Sequence, residues 1–258
     1  MFEFKELEVS IEDHIAVLTM NSPPVNALTR VLNDELTNAL DQISEMDNVR
    51  VVILTAKGKV FCAGADLKGR AENIKSPGDL VAHSRRTREC FHAIRECVKP
   101  VVVAINGAAL GSGMAMIASS DILIASENAT VGLPEVDVGL LGGCKHAERL
   151  FSHSRLRRIA LTGYRVDAKE LLRLGVIEYC VPQDELMDKA FELARSIAVK
   201  SPVSTKMIKH TLNVIEDLSL RDGYRYEQDM TSQISKTHDA KEAQNAFKEK
   251  RKANFLGY

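Results

Sequence analysis

The segment Val101-Val-Val-Ala-Ile-Asn-Gly-Ala-Ala-Leu-Gly-Ser-Gly-Met114 restricts the fold more than any other part of the chain. Val101 to Ile105 is an unbroken apolar run, which predicts a short strand buried on both faces. Asn106-Gly107 interrupts it, and Gly111-Ser112-Gly113 opens a second apolar segment, Met114 to Ser119, that predicts a buried helix. A glycine-lined entry leaves the first N–H groups of that helix without intrahelical partners, at the positive end of its dipole. Such a place can hold developing negative charge. A further apolar strand is expected at Ile122 to Ala125. Leu133-Pro-Glu-Val-Asp-Val-Gly139 then sets a carboxylate, Glu135, in an apolar loop. Taken alone, the glycines are equally consistent with close packing, and Glu135 with an ordinary surface acid. The stretch has neither G-x-G-x-x-G nor a glycine followed by Lys-Ser/Thr, which argues against a phosphate cradle.

The same plan occurs upstream. Val49 to Leu54 predicts a buried strand, and Phe61-Cys-Ala-Gly-Ala-Asp-Leu-Lys68 a glycine turn. After a polar stretch, Gly69 to Asp79, comes a helix near 80–96 whose Arg85, Arg86, Arg88 and Arg95 read mainly as a solvated face. The turns around Gly64 and Gly111 can therefore supply a pair of N–H donors to one site. Before them, Leu7, Val9 and Ile11 alternate with polar residues and Ile15 to Met20 runs apolar, the pattern of an antiparallel hairpin. Thr29 suits the N-cap of a helix with a Leu32, Leu36, Ala39, Leu40, Ile43 stripe. Later, Asp167 and Glu170 read as a capping box with Gly175 as a helix stop, and Val176 to Val181 as a short strand. Helices are expected near 184–199, 203–217, 221–236 and 239–251, the last opened by an Asp239/Glu242 capping box. Strands early and helices late predict an α/β core over 1–200 and a helical region over 201–258.

Lys+Arg 34 against Asp+Glu 35 leaves a net charge of −1, which argues against general nucleic-acid binding and against attraction to an anionic membrane surface. No apolar run reaches the roughly 20 residues of a membrane span. The five cysteines are odd in number and contain no C-x-x-C, which fits a reduced, cytoplasmic setting without structural zinc. Cys144, although close to the glycine-rich segment, reads as buried filler rather than as a nucleophile.

Asn26-Ala-Leu28, Phe61-Cys-Ala-Gly-Ala-Asp66, Lys99-Pro-Val-Val-Val-Ala-Ile-Asn-Gly107, Gly111-Ser-Gly113, Asp121, Pro134-Glu135, Leu161-Thr-Gly163 and Gly175-Val-Ile177 occur in one order and spacing. By these motifs the whole chain resembles the crotonase, or enoyl-CoA hydratase/isomerase, superfamily. The resemblance implies a crotonase-like spiral of ββα units with a C-terminal α-helical trimerisation region. It implies an acyl-CoA thioester substrate, no cofactor beyond the coenzyme A of that substrate, no metal, and assembly as a homotrimer or homohexamer. By position, the backbone N–H groups that hold the thioester oxygen belong to Ala65 and Ser112, and the acid/base is Glu135. Coenzyme A falls near the main chain of Val25, Asn26 and Ala27 and the turn through Ala63, Asp66, Leu67 and Lys68. Lys68 and the late cluster Lys248, Lys250, Arg251, Lys252 are the candidates for its phosphates.

Two departures matter. Ser112 replaces the commoner glycine, which keeps the backbone donor and adds a hydroxyl. The first of the two glutamates that hold the hydratase water falls on Ala115, between Met114 and Met116, and none of these can transfer a proton. Hydratase is the expected activity because it dominates the family. Ala115 pulls the chemistry toward the single-carboxylate relatives, Δ3-Δ2-enoyl-CoA isomerases and hydroxycinnamoyl-CoA hydratase-lyases. A thioester hydrolase and a non-catalytic RNA-binding homologue are the remaining readings. The further acid of dienoyl-CoA isomerases falls on Gly143. Asp137 shares a face with Glu135 if the segment is extended, though a solvated or ion-paired role is the default, and Lys145 and His146 read as helix-surface residues.

Overall fold

The apolar runs become strands because each is too short for a helix and is flanked by turn residues. The computed structural model describes residues 2–258. β1 (Leu7–Glu12) and β2 (Ile15–Met20) form the expected antiparallel hairpin, with Leu7 opposite Met20. α1 (Arg30–Glu45) starts at Thr29, whose hydroxyl accepts from the Leu32 N–H, and buries the whole predicted stripe. β3 (Val51–Ala56) and β4 (Val60–Cys62) lead into α2 (Leu67–Asn73) and α3 (Pro77–Glu96). β5 (Val101–Ile105) and β6 (Ala108–Leu110) lead into α4 (Ser112–Ala118). β7 (Ile122–Ser126) and β8 (Thr130–Gly132) lead into a 3-10 turn (Pro134–Val138), α5 (Cys144–Ala147) and α6 (His153–Thr162). β9 (Arg165–Asp167), α7 (Ala168–Arg173), β10 (Tyr179–Val181) and α8 (Leu186–Ala198) complete the core. α9 (Pro202–Ile215), α10 (Leu220–Ile234) and α11 (His238–Glu249) follow.

Three successive turns each place their first strand in one sheet and their second strand in another. The larger sheet has the order β1-β2-β3-β5-β7-β10, the smaller β4-β6-β8-β9. Beyond the hairpin, every pairing in the larger sheet is parallel. Its central strands are buried on both faces, as their unbroken Val/Ile runs require. This is the crotonase spiral of ββα units. The smaller sheet is absent from the sequence reading, since three-residue strands show no period for a hydrophobic pattern to reveal.

Other differences have local causes. The polar stretch 69–79 contains most of α2, which has no buried residue and is started by the Asp66 carboxylate accepting from Gly69 N–H at 3.0 Å. α3 begins before residue 80 because Ser76 and Asp79 form a reciprocal capping box with Pro77 in the first turn. Of the expected box at the start of α7, only half exists. Asp167 caps Glu170 N–H, while the Glu170 carboxylate pairs with Arg155 and Arg173. The Asp239/Glu242 box is not formed. Thr237 caps α11, Glu242 takes Arg251 and the Asn254 N–H, and the buried Asp239 accepts from Ser201 Oγ, Leu256 N and Gly257 N. Tertiary donors outcompete the local ones at both acids.

α9 is tied to the core through Lys209, which is 5% exposed. Its ammonium lies 2.8 Å from Asp121 Oδ2 and donates to the Lys99 carbonyl at 3.1 Å, while Asp121 also accepts from Val101 N–H at 2.7 Å. Asp121 itself reaches solvent, but removing its charge leaves the buried Lys209 ammonium without a counter-charge. Asp121→Asn is therefore expected to lower unfolding free energy by on the order of 3 kcal/mol, as measured by urea denaturation. A change below about 1 kcal/mol, the range of exposed pairs, would show that the pair does not hold α9 down.

Candidate active site

The two glycine turns meet because β4 and β6 pair in parallel, with Val60 opposite Ala108 and Cys62 opposite Ala109. The turns that follow these strands therefore lie side by side. Gly111 has φ +54, and a Cβ there would lie 3.6 Å from Gly64 Cα. Gly113 lets α4 approach β4: a Cβ would lie 2.6 Å from the Cys62 carbonyl oxygen. Leu28 fixes the first turn, with Leu28 N–H donating to Gly64 O at 2.8 Å and Asp66 N–H donating to Leu28 O at 3.4 Å. Since successive amides in an extended segment point in opposite directions, the Ala65 N–H faces away from Leu28. Ser112 N–H heads α4. Neither N–H has an acceptor among the described residues. The Ser112 hydroxyl likewise makes no hydrogen bond there, in a helix whose other residues are all buried.

Glu135 faces this pair of turns from the 3-10 turn. Its Oε1 would lie 2.6 Å from a Cβ at Gly111 and 3.7 Å from one at Gly142. Its Oε2 is buried and has no hydrogen-bond partner. Burial holds the carboxyl above the usual carboxylate range. A buried carboxylate oxygen without a partner thus lies beside two backbone N–H groups that have no acceptor among the described residues. Glycine at 111 is required twice over, by its positive φ and by the carboxylate pressed against it.

The other candidates fall away from this centre. Ala115 is 1% exposed and its N–H donates to Gly111 O at 3.0 Å, so it is packed into α4 between buried methionines. Asp137 lies on a 3-10 turn rather than an extended segment, and residues two apart there do not share a face. Its carboxylate sits against Gly163 at the end of α6, 2.7 Å from where a Cβ would be. Lys145 is exposed and paired with Glu148 at 2.9 Å. His146 is half-buried, edge-on to Phe91 with ring centroids 5.1 Å apart, and burial lowers its pKa. Cys144 is half-buried, while burial pushes the Cys62 and Cys90 thiols up to about 11 and about 12.

Around the proposed coenzyme A path, Ala63 N–H donates to Val25 O at 3.1 Å, which joins the loop through Ala27 to the turn. The Asn26 side chain is internal: its amide donates to the Lys57 and Val60 carbonyls, both at 2.8 Å, and its oxygen accepts from Ser22 N–H. Leu67 and Lys68 lie exposed on α2. Beyond Asp66 a cavity of about 520 Å³ opens between α1, α2 and α3, lined in part by Arg70, His83 and Arg86. Of the arginines read as a solvated face, Arg86 pairs with Asp34 and Arg95 with Glu216. Among the described residues no cluster of three or more metal-ligating side chains occurs, and no helix is long and apolar enough to cross a membrane.

The sequence model of the family described as enoyl-CoA hydratase/isomerase matches residues 10–257. The chain belongs to that family. A crystal structure of an enoyl-CoA hydratase from Bacillus anthracis superposes with a TM-score of 0.92 at 34% identity, covering 98% of this chain and 100% of the other. The (7aS)-7a-methyl-1,5-dioxo-2,3,5,6,7,7a-hexahydro-1H-indene-carboxyl-CoA hydrolase of Mycobacterium tuberculosis is 35% identical, over 93% of this chain and 96% of the relative. The 2,3-dehydroadipyl-CoA hydratase of Escherichia coli is 31% identical, over 98% and 99%. The enoyl-CoA hydratase/isomerase family thus contains, within a narrow band of identity to this chain, both hydratases and a hydrolase.

Because burial raises the Glu135 pKa, the folded protein binds that proton more tightly than the unfolded chain does. Its contribution to stability is therefore present at low pH and lost as pH rises through the raised value. Glu135→Gln removes this dependence. The melting-temperature difference, variant minus wild type, is expected to be larger at about pH 8 than at about pH 4. An equal difference at both would show that the carboxyl is not held in a desolvating site.

Proposed function

We propose that this chain is an enoyl-CoA hydratase/isomerase-type enzyme with one acid/base, acting on a 2- or 3-enoyl-CoA thioester through an enolate. The observation that carries this reading is the buried, unpartnered Glu135 Oε2 beside the free N–H groups of Ala65 and Ser112. Donors fixed before the reaction and aimed where charge develops stabilise the enolate more than the neutral thioester, which lowers the barrier rather than only the binding constant. Glu135, held above the ordinary carboxylate range by burial, takes a proton from the carbon next to the carbonyl and returns it. In isomerisation of a 3-enoyl thioester, the proton leaves C2 and one returns at C4. One carboxyl group serves both steps. No second carboxylate is needed, in keeping with the buried Ala115.

Simple hydration makes a further demand. The attacking water needs two groups to fix its direction, and misplacement alone costs on the order of 10²-fold. With Ala115 in α4, hydration of an unactivated 2-enoyl-CoA falls on Glu135 alone. Hydrolysis is the second reading, favoured by the hydrolase among the relatives. Glu135 would then activate water against the thioester carbonyl, and free coenzyme A thiol would appear. Binding of coenzyme A along Val25 to Ala27 and Ala63 to Lys68, and assembly through the C-terminal helices into a homotrimer or homohexamer, belong to the same proposal.

Glu135→Gln is expected to leave acyl-CoA binding within a few-fold while lowering turnover by roughly 10²–10⁴-fold. Product analysis over 2-enoyl, 3-enoyl, cyclic and aromatic acyl-CoAs, with a thiol assay, separates isomerisation, hydration and hydrolysis. Undiminished turnover in the Gln variant would remove Glu135 from the chemistry.

Ala115→Glu is expected to raise crotonyl-CoA hydration, with a melting temperature lowered by the new carboxylate in a packed helix. Wild-type protein that already hydrates crotonyl-CoA at around 10 s⁻¹ or more would refute the single-carboxylate reading.

A further inference from the structure

We propose that Arg149 is a positioning residue that holds the two walls of the site at a fixed separation, and that Glu216 of the C-terminal region orients it. One wall is α4, which begins at Ser112. The other is the segment Gly142 to Glu148, whose Gly142 lies against Glu135. The proposal rests on the reading of Ala65, Ser112 and Glu135 given above.

The Arg149 guanidinium bridges these walls. Nη1 donates to the carbonyl of Ala118, the last residue of α4. Nε lies 2.7 Å from Glu216 Oε1, just past α9, and Glu216 Oε2 lies 2.8 Å from Arg95 Nη2 at the end of α3. The Arg149 backbone closes onto α5, its N–H donating to His146 O at 3.1 Å, and Ala147 N–H reaches back to Gly143 O at 2.9 Å. Gly143 in turn packs on the other wall, since a Cβ there would lie 2.7 Å from Leu133 and 3.7 Å from the Gly111 carbonyl oxygen. The carbonyl end of α4 and the turn beside Glu135 are thus joined through one side chain.

α4 transmits the constraint because it is short and stiff. Its seven residues span roughly 10 Å, with Ala115 N–H bonded to Gly111 O and Ser119 N–H bonded to Ala115 O. A shift at Ala118 therefore moves the Ser112 N–H by a similar amount. Glu216 also separates two like charges. Without its carboxylate, Arg95 and Arg149 would repel across the seam. The three side chains are 25–30% exposed, so as ion pairs they add little to overall stability. A staple of the fold and a positioning device are distinguishable on that ground. The first would move the melting temperature and the second would move the chemistry.

Acetoacetyl-CoA serves as the probe, because its enolate absorbs in the near ultraviolet and reports the N–H donors without turnover. Arg149→Met is expected to bind acetoacetyl-CoA within about threefold of wild type. Its enolate absorbance should fall severalfold, and kcat on the best enoyl-CoA should fall roughly 10- to 100-fold with KM little changed. Arg149→Lys, which can still reach the Ala118 carbonyl, should recover part of both signals. Glu216→Leu, which removes both acceptors and leaves Arg95 facing Arg149, should show the same loss of enolate absorbance and kcat, and it decides the matter should Arg149→Met fail to fold. Folded variants with wild-type enolate absorbance and kcat would overturn the proposal, as would a rise in KM with kcat unchanged. A wild-type protein that produces no enolate signal would sink the reading of the site itself, and this proposal with it.

Discussion

The close approach of two glycine turns is the constraint on which the rest of this structure depends. Gly64 and Gly111 can face each other only because β4 and β6 pair in parallel register, and because Gly113 admits the backbone of β4 to within contact of α4. Side chains at these positions would push the turns apart, and the N–H groups of Ala65 and Ser112 would no longer converge. Everything upstream serves that approach. The larger sheet fixes where each turn starts, and the Leu28 bridge fixes which way the first turn faces.

The carboxylate opposite the turns is held at a cost to the fold. A buried acceptor without a donor is unfavourable by about 1–3 kcal/mol, and Glu135 is the one carboxylate among the described residues left in that state. Other acids in the molecule show what ordinary satisfaction looks like: Asp239 accepts three hydrogen bonds and Glu242 takes a guanidinium fork. That contrast, more than any motif, is what supports the proposed role of Glu135. The proposal of a single carboxylate rests in turn on Ala115, a methyl group in a packed helix where the family resemblance puts a second acid.

The C-terminal region bears on the site from behind. Lys209 ties α9 to Asp121, just after α4, while Glu216 reaches the guanidinium that closes the carbonyl end of the same helix. Both contacts meet α4 at the end opposite Ser112.

Much of the fold was legible in the sequence. The buried strands and amphipathic helices announced themselves because hydrophobic period is a local property, and the motifs around Gly64, Gly111 and Glu135 carried the family resemblance and, through it, the candidate site. What only the tertiary structure decided were matters of competition between distant partners. The smaller sheet has strands too short to carry a period. Asp239 and Glu242 were drawn from a plausible capping box to donors 9 to 38 residues away. Asp137 was turned from Glu135 by a 3-10 geometry that its neighbours in sequence do not reveal. The bridge through Arg149 has no local signature at all, since its partners at Ala118 and Glu216 lie 31 and 67 residues away along the chain. Local free energies of about 1 kcal/mol write themselves into pattern. The juxtaposition of the two glycine turns with Glu135, and of Arg149 with the far end of α4, exists only once the chain has closed on itself.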